Sequence, residues 1–135
     1  MKSIVLCGSM AFIEEMKCLS ATLLKIGLNP IIPREYNSNE VAKSDINEFK
    51  RLVSRDHFDK ITTTDTSAVL IINASKGGIN NYIGANTFAE IAMAFYFRKT
   101  IYILNGIYKP YQDELLAWGA IFLHGNIKGI DFSTV

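Results

Sequence analysis

The feature that most restricts this chain is its alternation of short apolar runs with segments of helical period. "SIVLC" (Ser3–Cys7), "SAVLIIN" (residues 67–73) and "TIYILN" (residues 100–105) are near-continuously apolar and rich in β-branched residues. Runs of that kind read as strands buried on both faces. After the first run, Phe12, Met16, Leu19 and Leu23 recur at helical spacing. Glu14 and Glu15 suit that helix's first turn, and Gly27 supplies its stop. "PIIP" (residues 30–33) predicts a brief second strand, with prolines tolerable only at its ends.

Residues 35–43 read as an irregular polar connection. Asp45 and Glu48 then have N-cap and N3 spacing for a second helix to about Ile61, with Ile46, Phe49 and Val53 on one face. Phe88, Ile91, Ala92 and Phe95 mark a third helix, residues 113–118 a shorter one, and "AIFLHG" a fifth strand. Strand–helix alternation with right-handed crossovers predicts one α/β domain over residues 1–135. It is a doubly wound, Rossmann-like or flavodoxin-like fold with a five-stranded parallel sheet of order 2-1-3-4-5.

Composition removes several function classes. Fourteen basic and thirteen acidic residues leave a net charge of +1, so no global field favours nucleic acid or an anionic membrane. No apolar run approaches the ~18 residues of a membrane span, and the N-terminus is interrupted too soon for a signal peptide. Cys7 and Cys18 lack C-x-x-C spacing and lie far in sequence from His57 and His124. The expectation is a reduced, cytoplasmic protein without a metal. The sequon at Asn73-Ala74-Ser75 then carries no meaning.

In such a sheet, ligands bind outside the carboxyl ends of the strands. Four loops leave that edge, at residues 8–12, 34–36, 74–86 and 106–111. In the first, Gly8 permits close backbone approach, and Ser9 reads more simply as an N-cap than as a phosphate ligand. Neither G-x-G-x-x-G nor G-x-x-x-x-G-K-[ST] is present.

The third loop, "GGINNYIGAN", offers Gly77, Gly78, Gly84, Asn80, Asn81 and Asn86 ahead of Thr87-Phe88-Ala89-Glu90. Thr87 and Glu90 have the spacing of a capping box, which accounts for Glu90 but not for the loop before it. At a helix N-terminus Glu90 is expected to be ionised, suited to nucleophilic attack or cation stabilisation rather than to acid catalysis. On the residues alone, cap and site both stand.

The order strand–"CGSM"–helix, then "VLIIN", a glycine loop, "YIGANTFAEIAMAF" and "KTIYILN", resembles the nucleoside 2-deoxyribosyltransferase superfamily. That group includes N-glycosidases of nucleoside 5′-monophosphates. The likeness covers most of the chain and is most specific around Gly8 and Glu90. It implies that Glu90 is a nucleophile forming a glycosyl-enzyme, with Tyr82 orienting it through its phenol. It places substrate contacts at Cys7, Gly8, Ser9 and Met10, and at Asn73, Gly84 and Asn86. It further implies a nucleoside or nucleotide substrate, no cofactor, and a homodimer or larger homo-oligomer.

One departure matters. Many relatives carry an acid or serine shortly ahead of the glutamate, whereas residues 82–86 here hold neither. Retaining glycosyl chemistry ordinarily uses two carboxyl groups about 5 Å apart. Asp65 lies at the wrong strand end, and Asp113 and Glu114 read as helix-start residues. The gap supports an alternative: a nucleotide-binding or sensor protein without turnover. A flavodoxin-like signalling domain is disfavoured, since the strand ends lack an acidic cluster.

The remaining polar side chains read structurally. His57 continues the stripe of Ile46 and Val53 and reads as a half-buried packing histidine. His124 has nothing to pair with. Lys76 reads as a solvated lysine, and Arg34 as that or as an anion contact. Phe95, Tyr96 and Phe97 read as core or subunit contacts.

Overall fold

The computed structural model describes residues 2–36 and 45–135, so the connection expected over residues 35–43 falls, beyond Tyr36, outside the described residues. Five strands form one sheet: β1 (Ser3–Cys7), β2 (Asn29–Ile31), β3 (Thr66–Ile71), β4 (Thr100–Ile103) and β5 (Ile121–Phe122). All pairs are parallel and the order is β2-β1-β3-β4-β5, as expected. The α-helices among the described residues are α1 (Ile13–Lys25), α2 (Ile46–Thr62), α3 (Ala85–Tyr96) and α4 (Gln112–Ala117). None of them is long and apolar enough to cross a membrane.

Successive strand residues point to opposite faces, and this divides the core in two. Ile4, Leu6, Ala68, Leu70 and Tyr102 face Phe12, Met16 and Leu23 of the first crossover. Val5, Cys7, Val69, Ile71, Ile101 and Ile103 face the other way, toward Ile61 of α2, Ile91 and Ala94 of α3, and Leu115 of α4. Full burial of each such Ile, Leu or Val contributes about 1.5–3 kcal/mol. Cys7 is therefore directed by strand parity into the layer shared by α2 and α3.

Several element starts follow from local chemistry. Asp45 caps α2, its carboxylate accepting from the N–H groups of Asn47 and Glu48 at 2.8 and 3.2 Å. Ser9 caps a 3-10 turn, Met10–Phe12, by accepting from Ala11 N at 3.3 Å. The first strand matches its apolar run, the later ones are shorter than theirs, and the second is Asn29–Ile31 rather than residues 30–33. Ile46 is exposed, so the inner stripe of α2 ends on His57 and Ile61 instead.

The start of α3 differs from the capping-box expectation. Gly84 is the N-cap, with extended backbone (φ −77°, ψ 170°), and no side chain caps the helix. Thr87 and Glu90 both lie inside the helix and are buried. With Ala85 as the first helical residue, Glu90 is in the second turn and too deep to reach back to the cap.

Candidate functional site

The sheet's carboxyl edge carries two cavities that share Gly8, Met10 and Asn86. The inner one, of about 50 Å³, is lined by Gly8, Met10, Pro33, Arg34, Tyr36, Val53, Asp56, His57, Asn86 and Glu90. The outer one, of about 300 Å³, is lined by Gly8, Ser9, Met10, Lys76, Tyr82, Gly84, Ala85, Asn86 and Thr87. Both sit where loops from β1 and β3 diverge, the position a doubly wound sheet reserves for ligands. A wider depression of about 500 Å³ lies over Asn47, Lys50, Arg51, Ser54, Arg55 and Phe58 on α2, but no carboxyl, thiol or imidazole lines it.

Glu90 forms the floor of the inner cavity. Its exposure is 4%, and its Oε1 accepts from Asn86 Nδ2, one helical turn earlier, at 3.4 Å. Oε2 stands 3.3 Å from Nε2 of His57, which α2 brings in from the side with 5% exposure. The strand-end thiol of Cys7 completes the group: one donor atom from each of Cys7, His57 and Glu90 lies within 4.8 Å of the others.

Burial sets the ionisation of all three. It raises the Glu90 carboxyl from 4.5 to about 8, against the favourable contact of Cys7. It lowers His57 from 6.5 to about 4, with the Lys60 ammonium acting in the same direction. It pushes the Cys7 thiol well up, and the neighbouring Glu90 adds to this. At neutral pH the cluster is a carboxylic acid, a neutral imidazole and a thiol. The expectation of an ionised Glu90 is thereby corrected: the helix dipole weakens beyond the first turn, and desolvation of the charged form wins.

The other anticipated residues are placed as follows. Gly8 lines both cavities, but its lack of a side chain is dictated by packing. A Cβ there would stand 2.8 Å from the Ile72 carbonyl oxygen and 3.0 Å from Met16 Cε. Ser9 faces the outer cavity, where its hydroxyl accepts from Lys76 Nζ at 3.0 Å. The Lys76 ammonium also lies 5.3 Å above the Tyr82 ring, so this lysine is held at the rim rather than merely solvated.

Tyr82 lines the outer cavity, with its phenol oxygen packed against Gly84. The hydrogen bond that orients Glu90 comes from Asn86 instead. Asn73 lines neither cavity. It is fully buried, its Nδ2 donating to Gly106 O at 2.8 Å and its Oδ1 accepting from Asn105 N at 2.9 Å.

The weaker candidates separate from the site. Asp113 and Glu114 are exposed in the first turn of α4 and make no cap hydrogen bond there. Asp65 binds Ser3 N through its backbone at the opposite edge of the sheet. His124 is an exposed turn residue with φ 50°. Arg34 does reach the inner cavity, where its guanidinium lies 4.6 Å from the Tyr36 ring centroid. Phe95, Tyr96 and Phe97 are 45%, 77% and 43% exposed, which excludes a core role within this chain.

His57, expected as a half-buried packing histidine, is instead buried and faces Glu90 in the inner cavity. Its place on the α2 stripe was legible, but what the stripe would face was not. Comparison with protein-family models, with curated proteins and with solved structures returns no match.

Proposed function

We propose that the chain hydrolyses or transfers at the N-glycosidic bond of a nucleoside or nucleoside 5′-monophosphate, with Glu90 as nucleophile. The observation that carries this reading is the 3.3 Å contact between Glu90 Oε2 and His57 Nε2 on the floor of the cleft. A protonated carboxyl is a poor nucleophile, and this neutral imidazole is an acceptor within reach of its proton.

In the proposed step the Glu90 proton passes to His57 Nε2, and the freed carboxylate oxygen bonds to the anomeric carbon. The bond from that carbon to the base nitrogen breaks, its electron pair leaves with the base, and the nitrogen takes a proton from solvent at the cleft mouth. Water, or a second base, then attacks the same carbon and gives up a proton to solvent, replacing the one the departing base took. The carboxylate is released and recovers its proton from His57. The positive charge developing on the sugar favours the ionised form of Glu90 during the reaction. Asn86 holds the second carboxyl oxygen in place. A family relationship to the nucleoside 2-deoxyribosyltransferases, and assembly into a homo-oligomer that closes the site, belong to the same proposal.

A nucleotide-binding protein without turnover is the second reading, favoured by the burial and protonation of Glu90 in the free chain. One experiment separates them. Purified protein is incubated with ribo- and deoxyribonucleosides and their 5′-monophosphates, and free base is followed by chromatography. Release that disappears in a folded Glu90→Gln variant supports the enzyme. Binding of one compound with no base released from any of them overturns it in favour of the second reading.

A further inference from the structure

Cys7, His57 and Glu90 come from β1, α2 and α3 and bring one soft and two borderline or hard donor atoms together in the interior. Each is more than nine-tenths buried. Both ring nitrogens of His57 and Oε2 of Glu90 lack a hydrogen-bond partner. Buried polar atoms are ordinarily satisfied, and two of these orphans, Nε2 and Oε2, face each other at 3.3 Å with the Cys7 thiol within 4.8 Å, which marks a missing partner. We propose that these three side chains form a binding site for a thiophilic divalent transition-metal ion, of the zinc or cobalt kind, with its remaining coordination position open to the inner cavity.

The donor set fits such an ion. Thiolate, imidazole and carboxylate are the three protein ligands of tetrahedral zinc chemistry, and three of them leave a fourth position open. Ligand bonds of about 2.0–2.3 Å at tetrahedral angles place donor atoms about 3.3–3.6 Å apart. The His57–Glu90 pair already stands at 3.3 Å. The thiol has to close by at most about 1.5 Å, within the reach of a side-chain rotation. The inner cavity, at about 50 Å³, has room for the water that would occupy the fourth position.

Charge also balances. A divalent ion displaces one proton from the thiol and one from the carboxyl, and two protons are released. The resulting ion–thiolate–carboxylate–imidazole cluster is neutral, as side chains this deeply buried favour. Binding takes the Glu90 lone pair that nucleophilic attack would use, so the loaded chain is inhibited as a glycosidase. The metal site stands independently of that activity.

The test is a cobalt(II) titration of the wild-type chain. The expected result is a thiolate-to-cobalt charge-transfer band in the near ultraviolet, saturating at one equivalent and unchanged in Cys18→Ser. Cys7→Ser should abolish the band, and His57→Gln and Glu90→Gln should each weaken binding about tenfold or more. Absence of the band in the wild-type chain overturns the proposal. So does its loss in Cys18→Ser, its survival in Cys7→Ser, or unaltered affinity in both other variants.

Should Cys7→Ser fail to fold, X-ray absorption on the wild-type complex decides. One sulfur in the first coordination shell supports the site, and a shell of nitrogen and oxygen alone overturns it. Cobalt binding in a chain that releases no base leaves the metal site standing and removes the glycosidase. Base release without cobalt binding does the reverse.

Discussion

His57 Nε2 and Glu90 Oε2 face each other at 3.3 Å with proton affinities displaced in opposite directions, the imidazole down to about 4 and the carboxyl up to about 8. The pair therefore stays uncharged across the neutral range, and its two members act on stability over different pH windows.

Between about pH 4.5 and 6.5 the folded chain keeps a Glu90 proton that the unfolded chain has lost, and lacks a His57 proton that the unfolded chain has gained. The two differences oppose each other, so the pair contributes a nearly flat stability there. From 6.5 to about 8 only Glu90 differs, the folded state holds more protons, and stability falls as pH rises, on the order of one kcal/mol per unit. Below 4.5 only His57 differs, and its contribution is lost as pH falls toward 4. Urea midpoints at pH 6.5 and 8 should show the alkaline decline, and Glu90→Gln should flatten it. An equal decline in the variant refutes the assignment.

Gly8→Ala is expected to destabilise the chain by about 1–3 kcal/mol, because the added methyl would stand 2.8 Å from a carbonyl oxygen of the sheet. That neighbour is backbone and cannot swing aside as a side chain can. Thermal or urea unfolding at pH 6.5 reads the loss directly, and an unchanged midpoint would show that the strand ends give way easily.

Asn73→Ala removes the amide that links the ends of β3 and β4. It leaves the Asn105 N–H and the Gly106 carbonyl without these partners, at a cost of about 1–3 kcal/mol. Hydrogen exchange should report faster opening at Asn105 as well as lower global stability. Full protection at that amide would mean the clamp is dispensable.

Lys76→Ala tests the outer cavity. The ammonium is the cation held at its rim by Ser9, so its loss should raise KM for a 5′-monophosphate about tenfold while the parent nucleoside is little affected. Raising the salt concentration should weaken the same preference. Equal effects on both compounds would place the phosphate elsewhere.

The fold was readable because its signals are local and agree with one another. The runs around Val5, Val69 and Ile101 are too apolar to be half-exposed, and each is followed by a helical period. The site was only partly readable. Glu90 stood out, but with an assigned cap at Thr87. Gly84 takes that role, a three-residue displacement that turns a surface cap into a buried acid. His57 could not be matched to Glu90, since the packing of α2 on α3 is a long-range fact that no single helical stripe contains. Asn73 carried an amide in the right loop, yet hydrogen bonding across the sheet claims it.

The crowding of Gly8 against Ile72 and the amide clamp at Asn73 together make the strand ends beneath the cleft a single stiff plate. Tolerance to change is then unevenly shared between floor and wall. A lineage adjusting which ligand it accepts has little latitude at Gly8 or Asn73. Its latitude lies in Arg34, Tyr36, Val53 and Asp56, the wall residues of the inner cavity. Diversification of ligand preference should therefore be written on α2 and the segment after β2, while the sheet edge stays constant.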